Sequence, residues 1–227
     1  AVERLRELLD SSVRLRMQSD VPLGAFLSGG VDSSLIVALM QRHGGETVRT
    51  FSIGFPVREY DETAFARQVA NHLGTEHHEF HVKPDGIEIL PRLAFHFDEP
   101  LADSSAIPTW YVARETRQEV TVALSGDGGD ELFAGYPRYQ AVSLAGKLDR
   151  FPPLRWLVSG LGRYLIPGSS RYKSRLRRMK RFAEPLNRGS VRRYLDWIRI
   201  FQEKHRRGFY SEDFQAQLVG QQPGQFL

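Results

Sequence analysis

The sequence predicts an α/β fold, a parallel doubly wound sheet followed by a helical C-terminal extension. Three observations carry this. From Val21 to Leu124, short apolar runs alternate with stretches of helical length. Two of the apolar runs end in glycine-rich loops that lead into helix starts, around Ser28-Gly29-Gly30 and Ser125-Gly126. From about Tyr139 onward no strand-like alternation occurs. The 227 residues, 41% of them hydrophobic, suffice for one sizeable core or one domain plus an appendage. The expected division is a core over 1–140 and a helical extension over 141–227.

In order, Val2 to Met17 is amphipathic and ends at Ser19-Asp20-Val21-Pro22. A strand and glycine loop follow, then a helix to about His43 that Gly44-Gly45 is expected to cap. Val48 to Phe55 reads as the second strand. Asp61 to Leu73 reads as a helix with Asp61 as N-cap and Gly74 just past its end. Glu76 to Val82 is the third strand. Its His77 and His81 face one way and His78 the other, so polarity of the strand explains them better than a metal. Ile87 to Phe97 and Ala106 to Arg117 read as helices around a polar loop, 98–105, and Glu119 to Leu124 as a fourth strand. Helices then follow at 141–148, 154–165, 173–182 and 191–203.

The strand into Leu23-Gly24-Ala25-Phe26-Leu27-Ser28-Gly29-Gly30-Val31-Asp32-Ser33-Ser34 is the centre of the chain. Two glycines let the backbone turn sharply, and the helix end behind them offers unpaired N–H groups and a partial positive charge. This is an anion site suited to phosphate. The helix end alone is worth about 0.3–1 kcal/mol, whereas micromolar affinity needs about 8 kcal/mol. Charge-assisted hydrogen bonds of roughly 1.5–3 kcal/mol each must therefore be added, and Ser28, Ser33 and Ser34 supply hydroxyls. Asp32 would repel phosphate unless it holds Mg²⁺, which shares carboxylate and phosphate oxygens. No Lys follows Gly30, so this is not a Walker A loop.

The second motif is Ser125-Gly126-Asp127-Gly128-Gly129-Asp130-Glu131-Leu132-Phe133-Ala134-Gly135-Tyr136. Its acids lack EF-hand spacing. In a parallel sheet, ligands gather at the carboxyl ends of strands, which lets Asp130 join Asp32 on Mg²⁺ and Asp127 act on the reacting groups.

Composition excludes other classes. There is no cysteine, hence no disulfide, thiolate metal site or cysteine nucleophile. No run of eighteen apolar residues could span a membrane, and a cytoplasmic protein is expected. The net charge is +4, with basic residues gathered late: Arg171, Lys173, Arg175, Arg177, Arg178, Lys180, Arg181, Arg188, Arg192 and Arg193. A solvated helix face explains them better than nucleic acid, and Tyr172, Phe182, Tyr194 and Trp197 have the spacing of a buried stripe.

Ser-Gly-Gly-Val-Asp-Ser-Ser resembles the PP-loop of ATP pyrophosphatases, the adenine nucleotide alpha hydrolase-like fold. With the second motif, Phe51-Ser52-Ile53-Gly54-Phe55 and the run from Val69 to Glu79, the chain from Val21 to Tyr136 resembles the synthetase domain of glutamine-hydrolysing asparagine synthetases. The resemblance implies an amide-forming ligase. Aspartate attacks the α-phosphate of ATP, pyrophosphate leaves, and ammonia attacks the β-aspartyl adenylate. Leu27, Ile53, Ser125 and Gly126 would meet the ATP. Ser28, Gly29, Gly30, Asp32, Ser33 and Ser34 would hold pyrophosphate, Asp32 and Asp130 would hold Mg²⁺, and Asp127 would take the acidic position used at the acyl-adenylate step. Many members carry Glu there, one methylene longer. The loop 98–105 lies where the family lines its amino-acid pocket.

The family draws ammonia from glutamine through an N-terminal glutaminase domain that this sequence does not contain, and the chain is expected to be a piece of a longer protein. Three alternatives stay open: an amidotransferase acting on another carboxylate, a PP-loop enzyme that adenylates a tRNA base, and a nucleotide-binding module without activity. A homo-oligomer is also open.

Overall fold

The computed structural model describes residues 1–99, 101, 103–164, 175–199 and 208–217. They fall into two compact units, Ala1–Leu132 and Phe133–Leu227.

The first unit is built on four parallel strands: β1 (Leu23–Phe26), β2 (Arg49–Gly54), β3 (Glu76–His81) and β4 (Val122–Leu124). Their order is β3-β2-β1-β4, with Gly24 in register with Arg49 on one side and Ala123 on the other. The chain steps outward from β1 to β3 and then crosses back to place β4 beside β1. The sheet order therefore reverses between β1 and β4, and their carboxyl ends form the switch point where such sheets bind ligands.

Both faces are covered, as the unbroken apolar runs require. Helices α1 (Val2–Arg16), α2 (Val31–His43) and α3 (Thr63–Leu73) bury Val13, Val37, Met40, Ala66 and Ala70 against Ala25, Leu27 and Val48. On the other face, α4 (Gly86–Phe97) and α5 (Ala106–Thr116) pack Ile89, Leu93 and Tyr111 with Ile53 and Val82. Phe51, fully buried, stacks on His78 (5.3 Å) and Phe80 (6.3 Å) of β3.

Element ends differ from the sequence reading for local reasons. Gly44 closes α2 in an extended conformation (φ −70°, ψ 135°), not a left-handed cap. Asp61 precedes α3 and accepts from the N–H and hydroxyl of Thr63 (3.1 and 2.7 Å), so regular helix begins at Thr63. Gly74 does take the left-handed cap, φ +68°. The fourth strand is shorter than 119–124 because the N–H groups of Glu119 and Val120 turn back to the Thr116 carbonyl at the end of α5. Asp85 caps α4 by accepting from the N–H groups of Ile87 and Glu88.

After a short helix α6 (Gly129–Leu132), the second unit is helical over its described residues: α7 (Pro137–Asp149), α8 (Pro152–Tyr164), α9 (Arg175–Ala183), α10 (Ser190–Ile198) and a last turn at Glu212–Gln217. The expected continuations to 165 and 203, and Arg171, Tyr172 and Lys173, lie outside the described residues. Ala145, Ala183, Leu186 and Trp197 form its core. Phe182 stacks on Trp197 at 5.6 Å and Tyr194 packs beside them, so these aromatics fill the core.

Charge divides sharply between the units. Residues 1–132 hold 12 basic and 21 acidic side chains, and residues 133–227 hold 19 and 6. The few acids of the second unit therefore serve several arginines. Asp149 takes Arg193 in a two-pronged pair (2.9 and 2.7 Å) and Arg155 at 3.1 Å, and Asp196 takes Arg188 at 2.5 Å. Arg193 is 4% exposed. Among the late basic residues, Arg193, Arg188 and Arg181, which donates to the Trp197 carbonyl, are internal fastenings.

Candidate active site

The loop after β1 is held by its own hydroxyls. Leu27 N–H donates to the Phe51 carbonyl (2.8 Å), the last rung between β1 and β2. The chain then leaves the sheet. Ser28 N–H donates to Ser33 Oγ (3.3 Å), the two hydroxyls meet at 3.0 Å, and Ser28 Oγ accepts from Gly30 N–H (3.2 Å). Ser33 Oγ also reaches the Gly30 carbonyl at 3.3 Å. Gly29 sits at φ +78°, and a side chain there would meet the backbone of Phe65 and Ala66 at 2.5–2.6 Å. The first turn of α3 is thus a wall against the loop, and only glycine fits in both conformation and space.

Gly30 precedes α2 in extended conformation, and no side chain caps the helix. Ser34 N–H is the first to return to the loop, at the Gly30 carbonyl (3.0 Å). The N–H groups of Val31, Asp32 and Ser33 therefore point out of the helix end.

The loop after β4 closes over this point. A Cβ on Gly126 would lie 2.7 Å from Ser33 N and 3.0 Å from Asp32 Cβ. One on Gly129 would lie 2.5 Å from Asp32 Cγ and 2.7 and 2.9 Å from its carboxylate oxygens. Two bare α-carbons, ninety-four residues and more along the chain, flank the start of α2. Gly128 turns this second loop at φ +90°. Ser125 Oγ donates to Asp127 Oδ2 (2.9 Å) and accepts from Asp127 N–H (3.4 Å), which holds the exposed Asp127 carboxylate back over its own loop. Asp130 is half-buried in α6, directly after Gly129.

The structure thus brings together Ser28, Gly29, Gly30, Asp32, Ser33, Ser125, Gly126 and the start of α6. It disposes of the remaining candidates differently. Leu27 is 1% exposed and belongs to the core. Its part here is to anchor the strand before the loop. Ile53 packs against the α4–α5 cluster. Ser34 Oγ is enclosed with no hydrogen-bond partner among the described residues and lines a groove of about 460 Å³ between α2 and α3, with Leu35, Ala38, Val69 and Leu73. Of the loop around 98–105, residues 100 and 102 lie outside the described residues, and Asp103 accepts from Ser105 N–H (2.9 Å) in the turn before α5.

Two contributors escape a motif reading. Gly129 is the seat of the Asp32 carboxylate, and the Phe65–Ala66 backbone backs Gly29. The paired glycines at 128 and 129 were a signal for the first; the second lies in an ordinary amphipathic helix and carries none.

The histidines of β3 divide as their alternation requires. His77 is held between Thr50 Oγ1 (2.9 Å) and Ser52 Oγ (3.2 Å), and burial pushes its pKa below the ordinary imidazole value. On the same face, Glu79 takes Arg67 of α3 in a two-pronged pair (2.7 and 2.6 Å), whose hydrogen bonds hold the carboxyl below its usual range.

Comparison with known proteins agrees with this geometry. The family described as asparagine synthase matches residues 4–222. A glutamine-hydrolysing asparagine synthetase of Bacillus subtilis is 39% identical over 209 residues, 89% of this chain and 31% of the relative. A putative one from Methanocaldococcus jannaschii is 45% identical over 137 residues, 60% of this chain and 26% of the relative. Another from Mycobacterium tuberculosis is 37% identical over 194 residues, 85% and 29% respectively. The chain spans less than a third of the length of these relatives. Two glycine loops meeting at the switch point of a parallel sheet, and a match over nearly the whole sequence, place the chain in the asparagine synthase family.

Proposed function

We propose that this chain is the ATP-using part of a glutamine-dependent asparagine synthetase. It activates the side-chain carboxylate of aspartate as an adenylate, for attack by ammonia that a glutaminase domain elsewhere in the protein releases from glutamine. The observation that carries this reading is the approach of Gly126 and Gly129 to Asp32 and Ser33.

The residues divide the work as follows. The outward N–H groups of Val31, Asp32 and Ser33 and the Ser28 and Ser33 hydroxyls bind the leaving pyrophosphate, and the helix end favours its charge. Gly126 keeps the helix end open, since a side chain there would cover Ser33 N–H. The Asp32 and Asp130 carboxylates meet no donor or cation among the described residues, so a hard cation suits them. Mg²⁺ held there would neutralise charge between carboxylate and triphosphate. No group of three metal-ligating side chains occurs among the described residues, and phosphate oxygens and water would complete its shell. Asp127, tied to Ser125, is the group assigned to accept a proton from the incoming amine.

ATP–pyrophosphate exchange with Mg²⁺, with and without aspartate, tests the proposal. Aspartate-dependent exchange that disappears in Asp32→Ala supports it. Exchange driven by another carboxylate instead would move the chain to a related amidotransferase, and no exchange with any carboxylate would overturn the activity.

A further inference from the structure

The wall behind Gly29 is itself fastened to the sheet. Helix α3 buries Thr63, Ala66 and Ala70, with Val69 and Leu73 half-buried beside them. The fully buried side chains are small. Small side chains interdigitate little, so they set how close the helix lies to the sheet better than where it lies along it. Among the described residues, the hydrogen-bonded tie from α3 to the sheet is Arg67. Its Nε and Nη2 donate to the two carboxylate oxygens of Glu79 on β3, at 2.7 and 2.6 Å. A two-pronged pair fixes direction as well as distance.

The tie sits next to the loop's support. Arg67 directly follows Ala66. A Cβ on Gly29 would lie 2.6 Å from Ala66 N and 2.5 Å from the Phe65 carbonyl carbon. The loop after β1 therefore leans on the two residues that precede the tie. For the molecule as a whole the pair does little, because the Arg67 side chain is 57% exposed and water weakens such pairs. Its local effect is larger. A shift of α3 along the sheet moves the wall, and a loop turned at φ +78° against that wall must follow. Loop N–H groups bind an anion well only while they converge on it.

We infer that Arg67 and Glu79 are positioning residues for the phosphate loop. They touch no phosphate themselves. They hold the first turn of α3 at the place along the sheet that keeps Gly29 and its neighbours in binding geometry. Their role rests on the reading of that loop as the pyrophosphate site.

Calorimetry with inorganic pyrophosphate and Mg²⁺ on the full chain tests this. Arg67→Gln and Glu79→Gln should each weaken binding by about tenfold, the loss that one misplaced charge-assisted hydrogen bond brings. The double variant should bind no worse than either single one, because both act through one pair. Exchanging the two residues, Arg67→Glu with Glu79→Arg, should restore part of the affinity. Arg188→Gln, which breaks an exposed pair of the second unit, should leave binding unchanged, as a loss through general destabilisation would not. Thermal midpoints confirm that each chain is folded. Native affinity in both folded single variants, or losses that add in the double variant, overturns the inference and leaves the loop reading intact. A native chain that binds no pyrophosphate overturns the loop reading and the inference with it.

Discussion

The carboxylate of Asp32 rests against the α-carbon of Gly129, with its Cγ 2.5 Å from where a Cβ would stand. The contact joins the first turn of α2 to the first residue of α6, and it sets where the charge of Asp32 lies. Gly129→Ala must push that carboxylate aside. A displacement of about 1 Å at a reacting centre costs on the order of a hundredfold in rate. The expected result is aspartate-dependent pyrophosphate exchange reduced by about that factor, in a chain whose thermal midpoint is little changed. Exchange at the original rate would show that the seat is not needed.

Gly29 makes a different demand, since its φ of +78° and its contact with the Phe65–Ala66 backbone both exclude a side chain. The left-handed conformation costs an alanine roughly 1–2 kcal/mol, and the clash adds about 1–3 kcal/mol. Urea unfolding should find Gly29→Ala destabilised by at least about 2 kcal/mol. Gly45→Ala is the control, since nothing lies within 4 Å of a Cβ there.

Asp149 joins Arg193 and Arg155, and these hydrogen bonds, that from Arg193 foremost, lower its pKa from 3.8 to about 2. A depressed carboxylate contributes stability that is fully present above its unfolded pKa and lost as pH falls through the folded one. The stability difference between the native chain and Asp149→Asn should therefore hold at neutral pH and shrink between pH 3.8 and about 2. Asp149→Ala strands the buried Arg193, and chemical denaturation should register a loss of about 3 kcal/mol.

His77 lies 3.7 Å from the Glu79 carboxylate, yet burial outweighs that partner. Burial lowers its pKa below 6.5, so the folded chain keeps the ring neutral while the unfolded chain protonates. Stability should decline as pH falls below 6.5 toward the folded value. In His77→Gln, which keeps polar atoms near Thr50 and Ser52, that part of the pH dependence should vanish. An identical pH profile in both chains would remove His77 as its source.

The strands and most helices were legible because each element carries its own period and punctuation. Asp61, Gly74 and Pro22 mark boundaries that the structure keeps to within a residue or two. The fourth strand was over-read because its nearly continuous run of Val, Thr and Ala reaches back into residues whose N–H groups serve the end of α5. The fate of the site serines was not legible. Ser33 and Ser34 are neighbours of the same chemistry, yet one hydroxyl enters the loop and the other lies enclosed between α2 and α3. Successive helical residues point about 100° apart, so the helix's orientation on the sheet decides which of them faces the loop.

Local sequence determined what each loop can do. Gly29-Gly30 before a helix makes an anion cradle from backbone geometry alone, and alternation of strand with helix makes the sheet parallel. Only the tertiary structure decided that the second glycine loop closes on the first. That contact depends on β4 crossing to the free side of β1, a choice of sheet order that residues far apart in sequence make together. Its physical ground is steric: two α-carbons without side chains leave room for one carboxylate and one open helix end.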